Sequence, residues 1–180
     1  ATITSDCILY SQIIVTGVLN VTGVPDANGV LPKLIGAGHN RLFKVESGGK
    51  LRLNALNLTN GYSAQGDSDG NGGAVLVIGE ESAFHATNAF FVNNKAHKDG
   101  GAVAVGGQSS VYLTNCSVAS NTANRGGGIG SYTGSSYVEI RNSIVEDNVA
   151  AGYTTGYQSG GGILNSGNAL SIYASIIRRN

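Results

Sequence analysis

The chain has 180 residues, enough for one domain with a real core. Its 11 Lys and Arg balance its 11 Asp and Glu, and charged residues make up only 12% of it, so there is no electrostatic footprint for nucleic acid or an anionic membrane. Glycine is abundant at 28 residues and Met and Trp are absent, yet Val, Ile, Leu and Ala run evenly along the chain, which excludes a disordered composition.

The first residues, "ATITSD", lack Met and any signal-like run of charged then apolar residues. No stretch approaches the roughly 18 apolar residues of a membrane span. The chain therefore reads as a processed or excised piece. "CILYSQIIVTGVLNVTGV" follows, strongly apolar through Ile8, Ile13, Ile14, Val15, Val18, Leu19 and Val21, and both prolines, Pro25 and Pro32, fall in the same region. These first forty residues stand apart from a repeat that begins near Arg41.

The repeat has two signatures. "GGAVLV" at Gly72 returns as "GGAVAV" at Gly100, "GGGIGS" at Gly126 and "GGGILN" at Gly160, which is 28, 26 and 34 residues apart by subtraction. Alternating with it is a second signature, an asparagine followed six residues later by another. The pairs are Asn54 and Asn60, Asn88 and Asn94, Asn115 and Asn121, and Asn142 and Asn148, and a fifth copy has Ala174 and Asn180. The connection from the second asparagine to the next Gly-Gly takes up nearly all the length variation, with residues 61–71 and 149–159 as its two long versions.

Between these marks apolar residues alternate, as in Val75 and Val77, Val103 and Val105, Phe84 and Ala86, Val111 and Leu113, Val138 and Ile140, and Leu170 and Ile172. Period two in short β-branched runs predicts strands. Glycine every few residues penalises a helix by about 1 kcal/mol each. Short strands in units of about 30 residues, with insertions confined to one corner, predict an all-β parallel β-helix, each unit one coil of a solenoid. An antiparallel sandwich also gives short strands, but it does not need the same residues at equivalent positions.

In that geometry Gly-Gly marks a sharp turn with positive φ and close approach of the next coil. Asn60, Asn94, Asn121, Asn148 and Asn180 are expected to form a structural ladder of stacked amides. Residues 1–40 are expected to be an N-terminal cap and first irregular coil, and 41–180 the regular coils, continuing beyond Asn180 where the pattern would call for another Gly-Gly.

"HNRLFKVESGGKLRLNALNLTNGYSAQGDSDGNGGAVLV" and "FFVNNKAHKDGGAVAV" resemble the right-handed parallel β-helix of the pectin-lyase-like superfamily. More narrowly, they resemble the repeats of chlamydial polymorphic outer membrane proteins and related surface adhesins, which pair GGA(I/L/V) with F-x-x-N. Phe91 to Asn94 with Gly100 to Val103 meets both motifs. Other copies place Val118, Val145 and Ile177 at the aromatic position, and the earliest places Asn57 there. The resemblance implies a secreted, surface-exposed protein acting in adhesion or as a structural fibre.

The same superfamily includes polysaccharide lyases and hydrolases, which need paired carboxylates, or acidic calcium ligands with a base. Asp67 and Asp69 in "GDSDGNGG" resemble the start of a calcium loop, but Ile78 stands where an EF-hand would place its bidentate Glu, so calcium is disfavoured and no cofactor is expected. Asp6, Glu46, Glu80, Glu81, Asp99, Glu139, Glu146 and Asp147 are scattered, and His39, His85 and His97 lack ligand spacing. Cys7 and Cys116 match no zinc, haem or redox spacing and read as small hydrophobes. No catalytic residue is assigned.

The two long connections should project from one side. They carry Tyr62, Asp67, Asp69, Tyr153, Tyr157 and Gln158, a set suited to contact with carbohydrate or protein. Sequons at Asn20, Asn57 and Asn115 are glycosylation candidates, with Asn57 preferred and Asn115 doubted as part of the inner ladder. The leading expectation is an extracellular, non-enzymatic structural or adhesive module, partnered head to tail by copies of itself or adjacent modules, with glycans or surface proteins as further partners. The competing one is a carbohydrate-binding or carbohydrate-active domain working through the long-loop side.

Overall fold

The computed structural model describes residues 1–64, 70–152, 160–166 and 169–180, and in them the chain is an all-β parallel solenoid of about six turns. The first coil holds β1 (Thr2–Ile3), β2 (Cys7–Leu9) and β3 (Ile13–Val15), and the second β4 (Val18–Gly23), β5 (Lys33–Gly36) and β6 (Phe43–Val45). The third runs β7 (Lys50–Asn54), β8 (Asn57–Thr59), β9 (Tyr62–Ser63) and β10 (Val75–Ile78). The fourth runs β11 (Ala83–Thr87), β12 (Phe90–Val92), β13 (Lys95–Ala96) and β14 (Val103–Gly106). The fifth comprises β15 (Ser110–Thr114), β16 (Ser117–Ala119), β17 (Thr122–Ala123) and β18 (Ile129–Thr133). The sixth comprises β19 (Tyr137–Arg141), β20 (Ile144–Glu146), β21 (Val149–Ala150) and β22 (Ile163–Asn165), before β23 (Ala169–Tyr173) and β24 (Ile176–Arg178).

Each strand pairs in parallel with its counterparts one coil away. Sheet A stacks β1, β4, β7, β11, β15, β19 and β23; sheet B stacks β2, β5, β8, β12, β16, β20 and β24; sheet C stacks β3, β6, β10, β14, β18 and β22. A small sheet D of β9, β13, β17 and β21 lies in the connection that sequence reading treated as loop. Two-residue strands are too short to show a period, so only the stacking reveals them.

The alternating residues point inward. Leu51, Phe84, Val111 and Val138 form one inner row of sheet A, and Leu53, Ala86, Leu113 and Ile140 the other, each at most 2% exposed. In sheet B the inner row is Leu34, Leu58, Phe91, Val118, Val145 and Ile177. Phe84 and Phe91 meet edge to face across the core at 6.1 Å. The expectation that Asn57 holds the aromatic position is therefore off by one: Leu58 holds it, and Asn57 faces outward beside Phe90.

The two glycines of each Gly-Gly have different jobs. The first takes positive φ, 67° at Gly100 and 58° at Gly126. The second leaves room for the next coil, since a Cβ on Gly101 would overlap the Gly127 carbonyl oxygen. Beside this turn Arg125 grips the buried Asp99 carboxylate with both Nε and Nη2, at 2.7 and 2.8 Å.

The asparagine ladder runs through Asn94, Asn121, Asn148 and Asn180. In each step the Nδ2 and backbone N of one asparagine donate to the Oδ1 of the next, at 2.9–3.0 Å. Asn60 is not part of it. Register places Asn60 beside Asn93, exposed at φ 55°, and Gly61 opposite Asn94, whose Oδ1 accepts the Gly61 N–H at 2.9 Å. A Cβ on Gly61 would overlap the Gly73 carbonyl oxygen, so no asparagine fits there. A second row one turn earlier uses hydroxyls: the Cys116 N–H donates to Ser143 Oγ and the Ser143 N–H to Ser175 Oγ.

Residues 1–40 hold strands that pair in register with the later coils. Strand β4 matches β7 from Val18 beside Lys50 to Thr22 beside Asn54, and residue 41 falls inside the second coil. Their irregularity lies in residues 24–32, which carry both prolines, and in having no sheet D strand.

Candidate functional site

The long-connection corner is built from four coils. Tyr62 opens β9, held by its N–H on the Asn40 carbonyl, and Lys95 stands beside it in register on β13 with Nζ 6.0 Å from the ring centroid. Tyr10 enters from the first coil, 81% exposed. With Ile35, Asn60 and Asn93 they line an open cleft of about 550 Å³ floored by glycine backbone. Beneath the corner Arg41 is buried and donates to Ser63 Oγ at 2.8 Å and Gln12 Oε1 at 3.1 Å, tying the second coil to the base of the long connection.

Two tyrosine rings, two carboxamides and one ammonium around a shallow cleft can stack on and hydrogen-bond a hydroxyl-rich ligand. Of the site set read from sequence, Tyr62 is in this cleft; Asp67, Asp69, Tyr153, Tyr157 and Gln158 lie outside the described residues. Tyr10, Asn93 and Lys95 were missed because only register, not spacing, brings them to Tyr62.

Comparison with protein-family models, curated proteins and solved structures finds no match.

Six of the eight scattered acids are tied to structural partners. Lys44 pairs with Glu46, Arg125 with Asp99, Arg141 with Glu139, and Arg178 and Arg179 with Glu146 and Asp147. Asp6 accepts the Lys33 N–H. Among the described residues no group of three or more His, Cys, Asp or Glu could hold a metal, and no helix is long and apolar enough to cross a membrane. Both cysteines are free; burial pushes the Cys116 thiol up to about 11.

The three sequons are reordered by the structure. Asn57 is half-buried, with its Oδ1 sealed and unbonded, while Asn20 and Asn115 are exposed. Asn115 sits not on the inner ladder but at φ 52° on the outer corner, where its Nδ2 approaches Asn88 Oδ1 at 3.4 Å.

Proposed function

We propose that the chain is an extracellular, non-enzymatic β-helix module with a structural or adhesive role, stacking head to tail with copies of itself or adjacent modules as part of a surface fibre. The observation that supports this most is the pair of end faces. Ile140 and Val145 are sealed at 0% exposure, whereas the residues in register with them one coil on, Ile172 and Ile177, are 40% and 44% exposed. At the other end Ile13 is 36% exposed beside Phe43 at 1%. A stacked coil would cover these side chains and pair the outer strand edges, at about 25 cal/mol per Å² of apolar area removed from water.

Sedimentation and electron microscopy of the purified chain over rising concentration test this. The expected result is end-to-end oligomers, shortened or lost in Ile177→Asp. A wild-type chain that stays monomeric throughout would remove the stacking reading.

Tyr10 and Tyr62 favour a second reading, a carbohydrate-binding or carbohydrate-active domain. In the same preparation, polysaccharide cleavage would select the enzyme, and glycan binding lost in Tyr62→Ala without cleavage would select a recognition module.

A further inference from the structure

Sheet A carries a second cleft on its outer face, away from the Tyr62 corner. It measures about 440 Å³ and is lined by Asn20, Thr22, Arg52, Asn54, His85 and Thr87. Asn20, Arg52, His85 and Tyr112 stand in one outward row, and Thr22, Asn54, Thr87 and Thr114 in the next, each row crossing four successive coils. The His85 ring stacks on Tyr112, 4.5 Å between centroids and 10° from parallel, leaving its opposite face on the side of the Arg52 strand.

The decisive group is Arg52. The molecule's other exposed arginines are matched to carboxylates, Arg141 to Glu139 and Arg178 and Arg179 to Glu146 and Asp147. Arg52 is exposed and makes no hydrogen bond or ion pair among the described residues, with its five donors directed at no protein acceptor. Its neighbours add positive charge: Lys50 lies on the same strand, its Nζ bound to the Glu81 carbonyl, and His85 titrates below its ordinary value through burial, then Arg52, then Lys50. The nearest carboxylate along the row is Glu139, beyond Tyr112 and already paired with Arg141. An uncompensated guanidinium beside a flat ring, flanked by carboxamides and hydroxyls rather than by an apolar pocket, suits a ligand with one anionic group on a hydroxyl-bearing ring.

We propose that this cleft binds an acidic sugar, its carboxylate or sulfate on the Arg52 guanidinium and its hydroxyls on Asn20, Asn54 and the threonine row. This site goes beyond the stacking role and is separate from the Tyr62 cleft. The two anions share the chemistry, and the test separates them.

The experiment is calorimetric titration of the intact chain with three probes: a glucuronate-containing tetrasaccharide, its carboxyl-reduced neutral form, and that reduced form carrying sulfate as its only anion. The acidic probes should bind and the neutral one should not, and added salt should weaken the binding. Arg52→Gln, on an exposed side chain, should keep the far-ultraviolet circular dichroism and lower the affinity about tenfold or more. The bound anion should raise the His85 pKa followed by NMR, a shift absent in Arg52→Gln. The tighter acidic probe identifies the preferred anion. Equal binding of the neutral form, unchanged affinity in Arg52→Gln, or no binding of either acidic probe would each overturn the proposal.

Discussion

At the scale of single residues, the inner corners show one job done by different side chains. Cys116 takes a place where the next two coils carry Ser143 and Ser175, and its thiol lies 3.3 Å from the Thr114 carbonyl, which it can reach as a weak donor. The thiol carries a pH signature that the hydroxyls lack. Its folded pKa, raised to about 11 by burial, exceeds that of the unfolded chain, so the folded state holds the proton longer. The associated stability is fully present below the unfolded thiol value, near 9.0, and disappears as pH rises through about 11. Two units correspond to about 3 kcal/mol. Urea unfolding at pH 8 and pH 11 should show that extra alkaline loss in the wild type and not in Cys116→Ser; equal losses would refute it.

At the scale of elements, the ladder ties strands that share little else. Asn121 accepts from the Asn94 N–H and Nδ2 and donates to the Phe91 and Ala119 carbonyls, buried at 0% exposure. Asn121→Ala strands several of these buried groups and should cost roughly 2–4 kcal/mol in denaturant unfolding. Asn60→Gly, outside the ladder, should stay within about 0.5 kcal/mol. A reversed order of these two losses would contradict the register described. The repeat made the coils and the inner rows legible, because a stacked core demands the same apolar parity in every turn. It misled in the third coil, where Asn54 and Asn60 match the later pairs in type and spacing but sit one residue off, beside Thr87 and Asn93. There the left-handed position is filled by Ala55 and the ladder's place by a glycine backbone N–H, neither of which has an asparagine to announce it. The Tyr62 cleft was half legible through the long connection. The Arg52 row was not, because its members are 27 to 33 residues apart and only strand register makes them neighbours.

At the scale of the whole molecule, each coil rests mainly on the two beside it, so position along the axis sets the cost of damage. Phe91 and Ile177 share an inner row, but Phe91 is sealed in the fourth coil and Ile177 lies at an open face. Phe91→Ala should cost about 3–5 kcal/mol and Ile177→Ala about 1 kcal/mol, with hydrogen exchange fastest at the end coils. Equal losses would mean that the solenoid behaves as one indivisible core. The asparagine row has a consequence of another kind. Each Nδ2 of Asn94, Asn121 and Asn148 donates forward to the next asparagine's Oδ1 and backward to a carbonyl of the preceding coil, that of Leu58, Phe91 or Val118. One carboxamide therefore clasps three consecutive coils, so the row works as overlapping staples, and loosening one of them slackens the coils on both sides.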